Sequence, residues 1–198
     1  MTMIKPSIDQ ISALGFSRDI HGVFAYGSSV YGCTSAKDID LIVIAGDVED
    51  GSDLREGLLD IHLHSMSAFE QRVASHDVVA LECLFNPDNT DIDIPFSLDL
   101  ALLRKSFSSK ASNSWVKGKK KIDVERDFYI GRKSLWHSLR ILMFGIALAK
   151  TGKIDFSAAN HLYAEIVGSD DTAWTPYKDK YQPLYNALSS EFRMVAPL

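Results

Sequence analysis

No stretch of this 198-residue chain approaches the eighteen or so apolar residues that a membrane span needs. The first ten residues, MTMIKPSIDQ, lack a long apolar core behind a basic start, so no secretory signal is expected there. Cysteine is scarce. Cys33 and Cys83 form no metal-ligand spacing, and two cysteines do not make a disulfide framework. A reducing, cytoplasmic setting with no membrane partner is the simplest expectation. Internal repeats and low-complexity tracts are absent as well. What remains, 46% apolar and 24% charged residues, is ordinary for a globular protein. The length suits one domain with a substantial core, or a small domain with a helical extension.

Each half is short of charge of one sign. Residues 1–99 hold 5 Lys/Arg against 17 Asp/Glu, and residues 100–198 hold 16 against 9, so −12 and +7 add to the overall −5. An acidic half that can hold metal ions and a basic half that can hold phosphates suit nucleotide chemistry, as they suit two halves that attract one another.

Patterning divides the chain near residues 90–97. Residues 6–15 read as a short helix, 22–26 as a strand, 28–31 as the start of a helical turn, and 39–45 as the strongest strand. The acidic stretch 47–56 reads as a loop or solvated helix. Residues 58–64 alternate as a third strand, with Asp60, His62 and His64 on one side and Ile61 and Leu63 on the other. Ser65 or Ser67 caps a helix to about 75. Residues 78–85 fit a strand or a helix, and 86–95 form a turn-rich loop. Beyond it lie helical patterns at 97–121, 124–150, 156–167 and 177–193. The expected fold class is α/β (α+β): an α/β N-terminal half followed by an all-helical C-terminal half.

Residues 26–44, YGSSVYGCTSAKDIDLIVI, concentrate the chemistry. Gly27 and Ser28 end one apolar run, and after a nine-residue spacer Asp38 and Asp40 open another. Glycine lets the backbone approach a triphosphate, while the serine and exposed N–H groups of residues such as Ser29 can bind its oxygens. Aspartates at i and i+2 on a strand point to one side and can share divalent metal ions.

This order resembles the signature of the DNA polymerase β-like nucleotidyltransferase superfamily: an apolar residue, Gly, Gly or Ser, a spacer, then Asp-apolar-Asp/Glu-apolar. The resemblance directly covers about a fifth of the chain. It implies a small mixed nucleotidyltransferase-type sheet with flanking helices at residues 1–95, with a C-terminal helical bundle at 96–198 completing the cleft. It further implies an enzyme moving a nucleoside monophosphate from an NTP to a hydroxyl-bearing acceptor, with release of pyrophosphate. Asp38 and Asp40 would bind Mg²⁺ or Mn²⁺. Asp60, as the third acid from a neighbouring strand, would bind metal and take the acceptor's proton. Gly27, Ser28 and Ser29 would hold phosphates, and Lys133 and Ser134 would complete the nucleotide pocket. ATP is the default nucleotide; RNA, protein and small molecules all stay open as acceptors, and the oligomeric state is left open too.

Other polar residues compete for attention. Asp91 and Asp93 form a second pair with no glycine turn before it, and read as loop acids. Glu82, in the apolar setting ALECLF, needs a partner or a raised pKa, and fits a structural pair with an arginine or lysine as well as a site role. Residues 104–121 carry seven Lys/Arg and no acid, with Trp115 available for stacking, so they fit a phosphate-binding surface or a solvated helix face. Arg132 and His137 have the Arg-x4-His spacing of certain helical ribonucleases, although Lys133 departs from that pattern. Two alternatives therefore stand beside the enzyme: a nucleotide-binding module without catalysis, and a metal-independent ribonuclease on the C-terminal helices.

Overall fold

Alternation of apolar residues builds the sheet, and its two faces are covered differently. The structure, a computed structural model, describes residues 5–15, 17, 19–32, 38–89 and 92–197. It divides into two units, Met1–Ser97 and Leu98–Leu198.

In the first unit, β1 (Ile20–Tyr26), β2 (Ile39–Ala45), β3 (Ser52–Glu56) and β4 (Leu59–His64) lie in the order β1-β2-β4-β3. β2 and β4 are parallel and the other two pairings antiparallel, which makes a mixed four-stranded sheet. Val23, Ala25, Leu41, Val43, Ile61 and Leu63 form one buried face with Ile11 of α1 (Ile8–Ser12). The opposite face carries Phe24, Ile42 and Ile44, and Phe24 stacks on Phe69 of α2 (Met66–Ala74) at 5.0 Å. Burying each of those rings contributes on the order of 2 kcal/mol. Helix starts follow the capping rules. Ser7 and Gln10 form a capping box at α1, and Ser65 and Asp77 accept backbone N–H bonds at α2 and at α3 (Val78–Phe85). Residues 78–85, ambiguous as sequence, are therefore helix. Asn89 pins the following loop to the sheet edge: its Oδ1 accepts from the Ala25 N–H, and its Nδ2 donates to the Ala25 and Cys83 carbonyls, each at 3.0 Å.

Two expectations are corrected here. Part of the stretch read as a loop or solvated helix is β3, an edge strand paired with β4 from Ser52↔Leu63 to Glu56↔Leu59. Its sequence, SDLRE, has one apolar residue and little strand propensity. Pairing to β4 makes it a strand, and Gly57 at φ +57° supplies the positive φ that a two-residue hairpin turn needs. The helical start expected at residues 28–31 is a single 3-10 turn, Gly27–Ser29. A turn that short has no helix macrodipole to offer an anion.

The second unit holds α4 (Leu100–Asp123), α5 (Phe128–Thr151), α6 (Asn160–Val167) and α7 (Trp174–Val195). Asp99 and Asp127 cap α4 and α5, and Gly152 at φ +70° ends α5. Small residues bring α4 and α5 together: a Cβ on Gly131 would lie 2.5 Å from Ile122 Cγ1 and 3.1 Å from the Gly118 carbonyl oxygen. Leu103, Phe107, Leu135, Leu139, Phe144 and Phe192 fill this unit's core. Among the described residues, no helix is long and apolar enough to cross a membrane.

Candidate metal centre

Register brings the carboxylates together. Asp40 of β2 lies level with Asp60 of the parallel strand β4 on one side and with Tyr26 of β1 on the other. These positions continue the face that carries Phe24, Ile42 and Ile44, at the half-buried strand ends. Asp38 lies two residues before Asp40, on the same side of the chain. One carboxylate oxygen from each of Asp38, Asp40 and Asp60 lies within 4.8 Å of the others. Mg²⁺–oxygen bonds of about 2.1 Å place ligand oxygens at most about 4.2 Å apart, so small side-chain adjustments would close this triad on such an ion. An all-carboxylate donor set favours a hard divalent cation over softer metals.

Gly27 is required beside it. Its φ is +78°, and a Cβ there would meet Asp40, with the carboxylate Cγ only 2.9 Å away. The turn thus lies directly against one metal-ligand candidate. Its hydroxyls are less available than the sequence suggests: Ser28 is buried, and Ser29 Oγ donates to the Tyr26 carbonyl at 3.2 Å. Tyr26 is held protonated by burial first, and then by the negative charge of Asp40 and, more weakly, Asp60.

Arg55, on the strand missed in the sequence, is level with Asp60, and its Nη2 is 4.0 Å from Asp38 Oδ2. Both groups are too exposed for this pair to contribute much stability, but it places a cation at the rim of the carboxylate cluster. No sequence signal pointed to Arg55, because an isolated arginine in a polar stretch has no periodicity. The two histidines of β4 are separately engaged. His62 Nδ1 lies 2.5 Å from Asp53 Oδ1. His64 meets Arg72 Nη1 at 2.7 Å, and burial followed by that guanidinium lowers its pKa. Glu82 is buried, and the Tyr31 hydroxyl donates to its carboxylate. Asp93 is an exposed loop acid, and Asp91 lies outside the described residues.

Lys133 and Ser134 lie in the helical unit, on the wall of a cavity of about 460 Å³ between α4 and α5. Lys110 and Lys117 face them from α4, with Ser114 between, and His137 completes the wall. Lys110 and Lys117 were within the basic tract read from sequence, and their seven-residue spacing is the signal that puts them on one helix face. His137 Nδ1 accepts from Arg140 Nη2 at 2.6 Å. Burial, then Lys110, Lys133 and Lys117, push its pKa down to about 3, so the ring is neutral at ordinary pH. Arg132 serves elsewhere, donating to the Val167 and Asp171 carbonyls at 3.5 and 3.3 Å. The arginine and histidine of the ribonuclease-like spacing thus have different partners.

No family model matches the chain. No curated protein matches it either. Among solved structures, it is similar to a nucleotidyltransferase-like protein from Exiguobacterium sibiricum, at 15% identity and a TM-score of 0.35 over 93% of this chain and 72% of that one. A likeness of that degree leaves the site to be argued from its own geometry.

Proposed function

We propose that the chain is a metal-dependent nucleotidyltransferase, transferring a nucleoside monophosphate from an NTP to a hydroxyl-bearing acceptor with release of pyrophosphate. The observation that carries this reading is the convergence of Asp38, Asp40 and Asp60 beside a glycine turn that packs against Asp40. Asp38, Asp40 and Asp60 would hold Mg²⁺ or Mn²⁺, which when bound neutralises phosphate charge and lowers the acceptor hydroxyl's pKa. Asp60, on the strand next to Asp40, takes the acceptor's proton. Backbone N–H groups of Gly27, Ser28 and Ser29 bind phosphate oxygens, a task left to the main chain by the burial of Ser28 and the bond that already engages the Ser29 hydroxyl. Lys133 and Ser134 are assigned to nucleotide phosphate, and the lysine-lined wall around them, acid-free among the described residues, supports that role. ATP is the first nucleotide to try, and RNA, protein and small molecules are the acceptor classes.

The test is pyrophosphate release from each NTP with Mg²⁺ or Mn²⁺ and separate RNA, protein and metabolite pools. Asp38→Asn/Asp40→Asn and Asp60→Asn should each lower release at least about 100-fold while leaving the fold intact by circular dichroism. Release that survives the double substitution would remove the metal centre from the reaction. NTP binding without release from any pool would identify a module without catalysis.

A further inference from the structure

A second cavity, of about 500 Å³, lies within the helical unit among α4, α5 and α7. Its walls are two polar stripes. Arg104, Ser108 and Ser112 recur every four residues along α4, and Tyr185, Ser189 and Arg193 do so along α7. These α4 residues occupy a different stripe from Lys110 and Lys117. The two helices run antiparallel. Asp123 Oδ1 accepts from the Trp174 N–H at 3.0 Å, Trp115 packs against Tyr185 at 4.7 Å, and Phe107 and Phe192 both press on Gly145. Counting eight residues back from Ser112 and eight on from Tyr185 therefore brings Arg104 and Arg193 to the same end of the cavity, about 12 Å along the helices from the tyrosine.

The two ends differ in chemistry. At one, Arg104 and Arg193 line the same space, with no carboxylate among the described residues of the lining, and Arg193 is oriented by a 2.9 Å bond from Nη2 to Ser190 Oγ. At the other, the Tyr185 ring packs on Trp115, and the Tyr185, Ser112 and Ser189 hydroxyl side chains line the space together. Among the described residues, Leu142 is the only aliphatic side chain in the lining. Paired arginines suit a phosphate, which accepts two forked sets of N–H bonds, and the hydroxyl end suits a ligand that both donates and accepts. The volume is that of a small-molecule site.

We infer that this cavity binds a phosphorylated, polyhydroxylated small molecule of the sugar phosphate class, with phosphate between Arg104 and Arg193 and hydroxyls towards Ser112, Tyr185 and Ser189. The inference stands apart from the metal centre and does not rest on nucleotidyl transfer.

Calorimetric titration of the full chain with ribose 5-phosphate, glucose 6-phosphate, glucose and inorganic phosphate tests it. At least one sugar phosphate should bind, and more tightly than inorganic phosphate, while glucose should not bind. Arg104→Gln/Arg193→Gln should weaken sugar phosphate binding at least about 10-fold, with Arg104→Lys/Arg193→Lys retaining part of it. Ser112→Ala should weaken the sugar phosphate and leave inorganic phosphate unaffected. Asp38→Asn/Asp40→Asn should change nothing, so failure of the catalytic reading leaves this one standing. No binding at millimolar ligand, or binding kept in the Arg→Gln pair, would overturn the proposal. So would loss of binding in Lys117→Gln/Lys133→Gln instead, which would place the ligand in the lysine-lined cavity.

Discussion

Gly27 combines a left-handed backbone, φ +78°, with a Cβ position that Asp40 already fills. Gly27→Ala adds strain at the backbone and a collision with a carboxylate, and the two effects have the same sign. We expect a loss of about 1–3 kcal/mol in urea unfolding. The metal-dependent rise in melting temperature should also shrink, because Asp40 must move to make room. An unchanged response to Mn²⁺ would show that the turn does not position the carboxylate. The glycine, the serine and the Asp-x-Asp pair were all legible in sequence because they sit within one short segment. Burial of Ser28 was not, since it depends on what covers the turn. Nor was the approach of Arg55 to Asp38, which requires β3 to be a strand.

Helices and strands show the same division. Long apolar periodicity and the Gly152 stop made α5 legible, and β-branched residues did the same for β2. The Asp99 and Asp127 caps went unread, and they start α4 and α5 three and four residues later than the patterns at 97 and 124. The sparse sequence of β3 hid a strand that only its partner creates. At the crossing of α4 and α5, two effects oppose one another in Gly131→Ala. Alanine's helix propensity favours the substitution by about 1 kcal/mol. Its methyl, 2.5 Å from Ile122 Cγ1 and 3.1 Å from the Gly118 carbonyl, costs more, because overpacking a close helix pair costs about 1–3 kcal/mol and backbone cannot step aside as a side chain can. Net destabilisation is expected. A urea midpoint equal to or above wild type would show that the helices separate freely.

The chain as a whole is electrically divided, −12 in residues 1–99 and +7 in residues 100–198, and each unit concentrates its own sign in a polar site. Carboxylates cluster in the first unit; Lys110, Lys117 and Lys133 surround His137 in the second. With Arg140 bonded to it as well, that histidine stays neutral in the fold down to about pH 3, against an ordinary value of 6.5. Between those values the unfolded chain binds a proton that the folded chain does not, so stability falls as pH falls. The slope from this residue is at most about 1.4 kcal/mol per pH unit. His137→Gln should remove that component. Urea unfolding of both proteins from about pH 7 to about pH 4 measures it as the difference between their slopes, and parallel curves would refute the assignment.

Local chemistry settled the strands β1, β2 and β4, the succession of helices and the pairing of Asp38 with Asp40, because alternation, helical periodicity and turn formation act over a few residues. The level meeting of Asp60 with Asp40 depends on parallel register between strands separated by β3. The gathering of Lys110 and Lys117 with Lys133 depends on how closely two glycines let helices pack. The facing stripes of α4 and α7 join residues some eighty positions apart. Such juxtapositions come from packing between distant segments, and no periodicity within either segment specifies its partner.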